Sequence, residues 1–269
     1  MKRVNFIFTL FLLFMLSTRT GAQDADSLIA GVSRKMASFS RDFNYTCLVN
    51  SKEYHMDSHW KPKTTRSIEK KLVKQGDEVY YEIIKAVEIK KNEEKDITGE
   101  IQKRNMEARQ NVEEEAEKEK AETDGEDKKE GRHELKMTMD DLNPFNEERR
   151  KLYTFDMLPD TTADDQHYYR LKTTAVEPSD KLYEGVYWIN ADTRVIEYMI
   201  LQPSKNPKLV KELKMRFRFR EMDDGRWMPV KIWTHVYVNL LIKKIRVETE
   251  EVYSDYKFQD TQPKNPFYH

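Results

Sequence analysis

Apolar and polar residues alternate through most of the last third of the chain. Leu213, Met215, Phe217 and Phe219 are apolar, and Lys214, Arg216, Arg218 and Arg220 between and after them are cationic. Successive strand side chains point to opposite faces, so this run predicts a strand with one apolar and one wetted face. The turn residues Asp223-Asp224-Gly225 follow, and then a second run, Trp227 to Val238, with Val230, Ile232, Thr234, Val236 and Val238 on one side. Further strands are predicted at Lys151–Phe155, His167–Val176, Glu184–Asn190, Val195–Leu201 and Lys244–Tyr253. They are spaced at short intervals with turns such as Asn190-Ala191-Asp192 between them, a pattern of consecutive antiparallel neighbours. No long helix interrupts the series, which excludes a parallel βαβ sheet.

Upstream, Leu28, Ile29, Val32, Met36 and Phe39 recur at helical spacing and predict an amphipathic helix over Asp24–Phe39, with Asp24 or Asp26 as N-cap. Strand patterns follow at Phe43–Glu53, Thr65–Lys74 and Glu78–Ile89, the last two joined by Gln75-Gly76-Asp77. Met139–Phe145 reads as a short helix or turn. The whole is a mainly β, α+β protein of about ten strands, too many for a flat sheet, which must therefore curl. We expect a curved antiparallel sheet forming an unclosed β-barrel.

Residues 90–135 break the pattern. The run Glu113-Glu114-Glu115-Ala116-Glu117-Lys118-Glu119-Lys120 is strongly helix-prone, while Ile101, Met106, Ala108 and Val112 are too sparse for a core-forming stripe. A solvated helix or flexible insertion between strands is the expectation; a lid or a docking arm is the sharper alternative. The N-terminus adds a compartment. Lys2 and Arg3 precede an apolar run, Phe6 to Leu16, that is about half the roughly 20 residues a spanning helix needs. Thr20-Gly21-Ala22 before Gln23 suits signal-peptidase cleavage, so residues 1–22 read as a signal peptide and 23–269 as one exported periplasmic domain. A retained N-terminal anchor is the alternative.

Lys+Arg (47) and Asp+Glu (48) nearly cancel, which removes any reason to expect nucleic acid as a partner. With 1 cysteine, Cys47, no internal disulfide can form, and its strand setting favours a buried structural thiol over a reactive one. His55 and His59 stand four apart, but without the Glu of a zinc-peptidase helix they read as a surface pair. His167 and His235 each stand alone in a strand pattern. There is no Gly-x-Ser-x-Gly elbow and no Gly-rich phosphate loop, so no enzyme activity, metal or cofactor is expected.

The apolar strand faces need a cover, which can be the protein's own helices or a ligand. Here a resemblance helps. Gly185-Val186-Tyr187-Trp188-Ile189-Asn190 with Thr193-Arg194-Val195-Ile196, then Asp224 to Ile232, then Val252 to Phe258, together with Tyr45-Thr46-Cys47 after an amphipathic helix, resemble bacterial outer-membrane lipoprotein-sorting proteins of the LolA/LolB type. The charged insertion at 90–135 departs from that pattern. The resemblance implies an unclosed barrel whose concave face is plugged by helices and binds acyl chains. It makes the chain a non-enzymatic, monomeric periplasmic carrier of a lipid or lipoprotein acyl chain, with transient membrane contact. The expected apolar trough is Leu213, Met215, Phe217, Phe219, Val230, Ile232, Val236 and Val238. The other reading of the same fold is an envelope sensor or interaction module that binds a protein partner.

Overall fold

The computed structural model describes residues 25–39, 43–76, 78–122, 142–240 and 243–259, and the side chains of 109 and 112–122 are not described. The expected signal peptide and the greater part of the Met139–Phe145 turn's approach, residues 139–141, lie outside this set. Eleven strands form one sheet in the order β4-β3-β2-β1-β11-β10-β9-β8-β7-β6-β5. They are β1 (Asn44–Met56), β2 (Pro62–Gln75), β3 (Glu78–Lys90), β4 (Glu93–Asp96), β5 (Tyr153–Ala163), β6 (Gln166–Ala175), β7 (Tyr183–Asn190), β8 (Ile196–Pro203), β9 (Val210–Glu221), β10 (Trp227–Asn239) and β11 (Lys244–Gln259). Every pairing is antiparallel, and β4 and β5 are unjoined edges, so the sheet is an unclosed barrel.

The strands divide into two meanders, β1 to β4 and β5 to β11. They are joined where β11 pairs with β1, from Asn44↔Gln259 to His55↔Val247. One register row crosses ten of the strands: Met157, Leu171, Tyr187, Met199, Phe217, Ile232, Glu251, Ser51, Ile68, Ala86. Directly paired residues share a face, so this row lies on one side of the sheet, the inner side on which the helices sit. The next row passes through Gly185, where a Cβ would stand 1.9 Å from the Ile200 carbonyl oxygen. Only glycine lets β7 and β8 approach so closely there.

Helix α1 (Ala25–Ser38) follows its predicted span to within a residue and buries the predicted stripe Leu28, Ile29, Val32 and Met36. These meet Leu171, Tyr187, Ile189, Ile196, Met199, Leu201, Met215, Phe217 and Phe219 in the main core. Leu142 and Phe145 close the same core from beside β5 to β7, with the Tyr187 hydroxyl donating to the Leu142 carbonyl at 3.0 Å. A short α3 (Glu147–Arg150) follows, started by Asn146, whose side chain accepts from the Arg149 amide at 2.7 Å.

Helix α2 (Thr98–Glu122) realises the helix-prone insertion, but its first turns are seated rather than solvated. Ile97 is buried and Ile101 packs beside it against Ile68, Ala86 and Ile83. The Gln102 and Asn105 side-chain amides donate to the Ile83 and Tyr81 carbonyls at 3.1 and 2.8 Å. These contacts cover the edge of β3 that the four-residue β4 leaves open, as sheet edges require. Further along, Met106 is exposed.

Candidate functional site

The inner face changes chemistry from one end of the sheet to the other. From β5 to β10 its rows are apolar. From β11 through β1 and β2 to β3, paired charges enter among the apolar side chains, with Glu251, Lys70, Arg66 and Glu88 beside Val49, Ile68, Leu72 and Ala86. Lys214, Arg216, Arg218 and Arg220 of β9 point the opposite way, to the outer face, and all are exposed.

The pairing of β9 with β10 sets Phe217 against Ile232, Met215 against Thr234 and Leu213 against Val236, so the expected trough residues of both strands form one surface. Their surroundings differ. Met215, Phe217 and Phe219 are each 3 % exposed and lie under α1. Leu213 and Ile232 are half-buried at the margin of that core. Val230 sits at a bulge between Pro229 and Lys231, also half-buried. Val236 and Val238 continue the surface beyond the core, opposite Val247 and Ile245 of β11, and all four remain half-buried. Val247 and Ile245 were legible in the alternation of Lys244 to Glu248 but were not among the expected trough residues.

The cover over the buried part is α1. Its C-terminal end is fixed by an aromatic stack, with Phe39 against Trp227 at 6.2 Å and Trp227 against Phe219 at 3.8 Å. The Trp227 indole donates to the Ile196 carbonyl at 2.7 Å, and Lys35 pairs with Glu221 of β9 at 2.9 Å. That ion pair is about one third exposed on each side and therefore contributes little. Apolar contact holds the helix in place.

The polar half of the inner face begins one residue from Ile232. Glu251, its partner in β11, binds Lys70 of β2 at 2.7 Å and accepts from the Tyr253 hydroxyl at 2.6 Å. Lys70 also lies 4.2 Å from the Tyr81 ring centre. Arg66 and Glu88 pair at 2.9 Å in the next row, and Ser51 is buried between them and the apolar side. Burial, with Glu251 nearby, pushes the Tyr81 hydroxyl up to about 12, and burial drives Tyr253 well above the ordinary phenol range. Both hydroxyls stay protonated, and that of Tyr253 is the donor to Glu251. Lys70 and Glu251 pair across strands far apart in sequence, so hydropathy reading could not find that pair.

Cys47 is buried with Val49, Leu72 and Tyr253, and burial pushes its thiol up to about 11. At pH 8 about one molecule in a thousand then carries the thiolate. We expect no reaction of Cys47 with a disulfide reagent at pH 8 in the folded protein and full reaction after denaturation. Rapid labelling of the native protein would contradict its placement.

The two histidines of the 55/59 pair do not share a site. His55 is in β1 beside Glu53, and His59 is in the β1–β2 turn with Ser58. Among the described residues there is no group of three or more His, Cys, Asp or Glu able to hold a metal. Nor is any described helix long and apolar enough to cross a membrane. His235 stands on the outer face between Glu212 and Glu248, stacked on Trp60 at 4.3 Å.

Residues 49–256, from the middle of β1 almost to the end of β11, match the model of a family of unknown function, DUF5686. The chain belongs to that family. No curated protein matches this DUF5686 chain. Among solved structures, it is similar to a LolA superfamily protein from Nitrosomonas europaea, at 13 % identity and a TM-score of 0.38 over 89 % of this chain and 95 % of that one. It is also similar to a domain described as an outer membrane lipoprotein-sorting protein from Vibrio parahaemolyticus (13 % identity, TM-score 0.41, 90 % and 96 % covered). A DUF1329 family protein from Desulfovibrio piger shows 12 % identity and a TM-score of 0.40 over 91 % and 97 %.

Proposed function

We propose that this protein is a periplasmic carrier or binding protein for a lipid or lipoprotein acyl chain. On this reading residues 1–22 are removed near Ala22–Gln23 and 23–269 act as one domain. The observation that carries the proposal is the inner face of β9, β10 and β11. Its apolar surface runs on past the end of the main core as a half-exposed aliphatic strip, Leu213, Val236, Val238, Ile245 and Val247. An acyl chain laid along that strip meets α1 and can take its place.

Magnitudes make the exchange feasible. Four buried α1 side chains, Leu28, Ile29, Val32 and Met36, are worth about 6–12 kcal/mol of burial at most. An acyl chain burying about 14 methylenes gains about 11 kcal/mol. Chain and helix compete on nearly equal terms, as a carrier that must also release its load requires. The paired patch of Lys70, Glu251, Arg66 and Glu88 lies beside the trough and offers a polar setting for the head of an amphiphile.

The test is titration of the purified protein with an environment-sensitive fluorescent fatty acid, followed by displacement with unlabelled palmitate. We expect saturable binding of one probe per chain, displaced by palmitate. A signal that never saturates, or one that palmitate leaves unchanged, would overturn the proposal.

A further inference from the structure

A second site lies on the outer face, where two hairpins part. β1 and β11 pair as far as His55↔Val247. The β1–β2 hairpin continues to Met56↔Pro62 and the β10–β11 hairpin to Asn239↔Lys244. Between the two ends is a cleft of about 500 Å³ whose lining includes Ser58, Lys63, Lys243, Lys244 and Arg246. Asp57 is the one carboxylate in that lining. One of its oxygens is occupied by the turn, accepting from the His59 and Lys61 amides at 2.7 and 3.0 Å. The cleft therefore carries an excess of positive charge.

Arg246 is held in a fixed pose. Its guanidinium lies 4.5 Å from the Tyr237 ring centre and 5.5 Å from that of Trp60. Trp60 is set by a left-handed backbone (φ 59) in the β1–β2 turn and by its stack on His235. The Arg246 Nε is buried and has no hydrogen-bond partner in the structure. Among the described residues, Lys63, Lys243 and Lys244 form no ion pair with a carboxylate. A clamped guanidinium offers directed donors, and free lysines offer mobile point charges. Together they match an anion with several oxygens on one centre. A cleft of this size takes a group larger than a single carboxylate.

We infer that the fork between the β1–β2 and β10–β11 hairpins binds a phosphate-bearing anion, either a free phosphate or a phospholipid headgroup. This site is separate from the inner trough, and its test does not depend on acyl-chain binding. The purified protein is titrated with inorganic phosphate, and separately with phosphatidylglycerol/phosphatidylcholine vesicles and with pure phosphatidylcholine vesicles. Two charge-matched variants are compared, Lys63→Gln/Lys244→Gln at the cleft and Lys172→Gln/Lys205→Gln away from it. All four lysines are exposed, so both variants should fold as the wild type does.

The wild type should bind phosphate or the phosphatidylglycerol vesicles, and pure phosphatidylcholine vesicles weakly or not at all. The cleft variant should lose at least about tenfold in affinity and the distant one less than about threefold. Binding to phosphate identifies a small anion as the ligand. Binding to the anionic vesicles alone identifies a lipid headgroup. Failure to bind either probe, or any smaller difference between the two variants, would overturn the inference.

Discussion

Phe217→Glu and Ile232→Glu, neighbours in one register row, are expected to fail in different ways. Phe217 is 3 % exposed beneath α1, set among apolar side chains of the main core. A carboxylate there is buried without a partner, and we expect a loss of about 3 kcal/mol or more in urea denaturation. For a fold whose total stability is about 5–15 kcal/mol, that is a large share. Ile232 is half-buried at the margin, so a carboxylate there can reach water. Its variant should stay folded with a loss of about 1–2 kcal/mol. Its charge nevertheless lies where an acyl chain would pass, and fatty-acid probe affinity should fall at least about tenfold, or 1.4 kcal/mol. Denaturation midpoint and probe titration on the same two proteins read both effects. Full probe affinity in a folded Ile232→Glu variant would remove this margin from the site.

The contrast between those two residues marks how far the sequence could be read. Strict alternation through Leu213 to Arg220, and the apolar positions Val230, Ile232, Val236 and Val238 after the Asp223-Asp224-Gly225 turn, placed β9 and β10 and their apolar side. The stripe of Leu28, Ile29, Val32 and Met36 placed α1. What alternation does not encode is which apolar strand face the helix chooses, so Phe217 in the core and Val236 outside it look alike in sequence. β4 was missed because Glu93–Asp96 is wholly charged and is a strand only through its pairing with Val87–Lys90. β5 was read as ending at Phe155 but runs to Ala163 through Pro159, which an edge strand tolerates at its bulge. β11 runs on to Gln259 past a bulge at Asp255, whose backbone is left-handed (φ 52). The seating of α2 joins the apolar contacts of Ile97 and Ile101 to the Gln102 and Asn105 amides, polar contacts that a hydropathy pattern counts as solvent-facing. The Lys70–Glu251 pair joins residues 181 apart and depends on the closure of β11 onto β1.

The proposed carrier works only if α1 leaves the inner face to admit a chain, and the second prediction with a large effect concerns that step. Lys35 of α1 and Glu221 of β9 face each other as a partly exposed pair, so replacing both with cysteine should cost little stability. Cys47, buried, should not compete for a maleimide. A short bis-maleimide joining the two new cysteines ties the helix to the sheet over the buried part of the trough. Affinity for the probe should then drop at least about tenfold relative to the same variant left unbridged, because the helix can no longer yield its place.

The most direct measurement is therefore equilibrium binding of the fluorescent fatty acid to the bridged and unbridged Lys35→Cys/Glu221→Cys protein. The account predicts saturable binding to the unbridged form, displaced by palmitate, and its near loss in the bridged form. Equal affinity in both forms would contradict it.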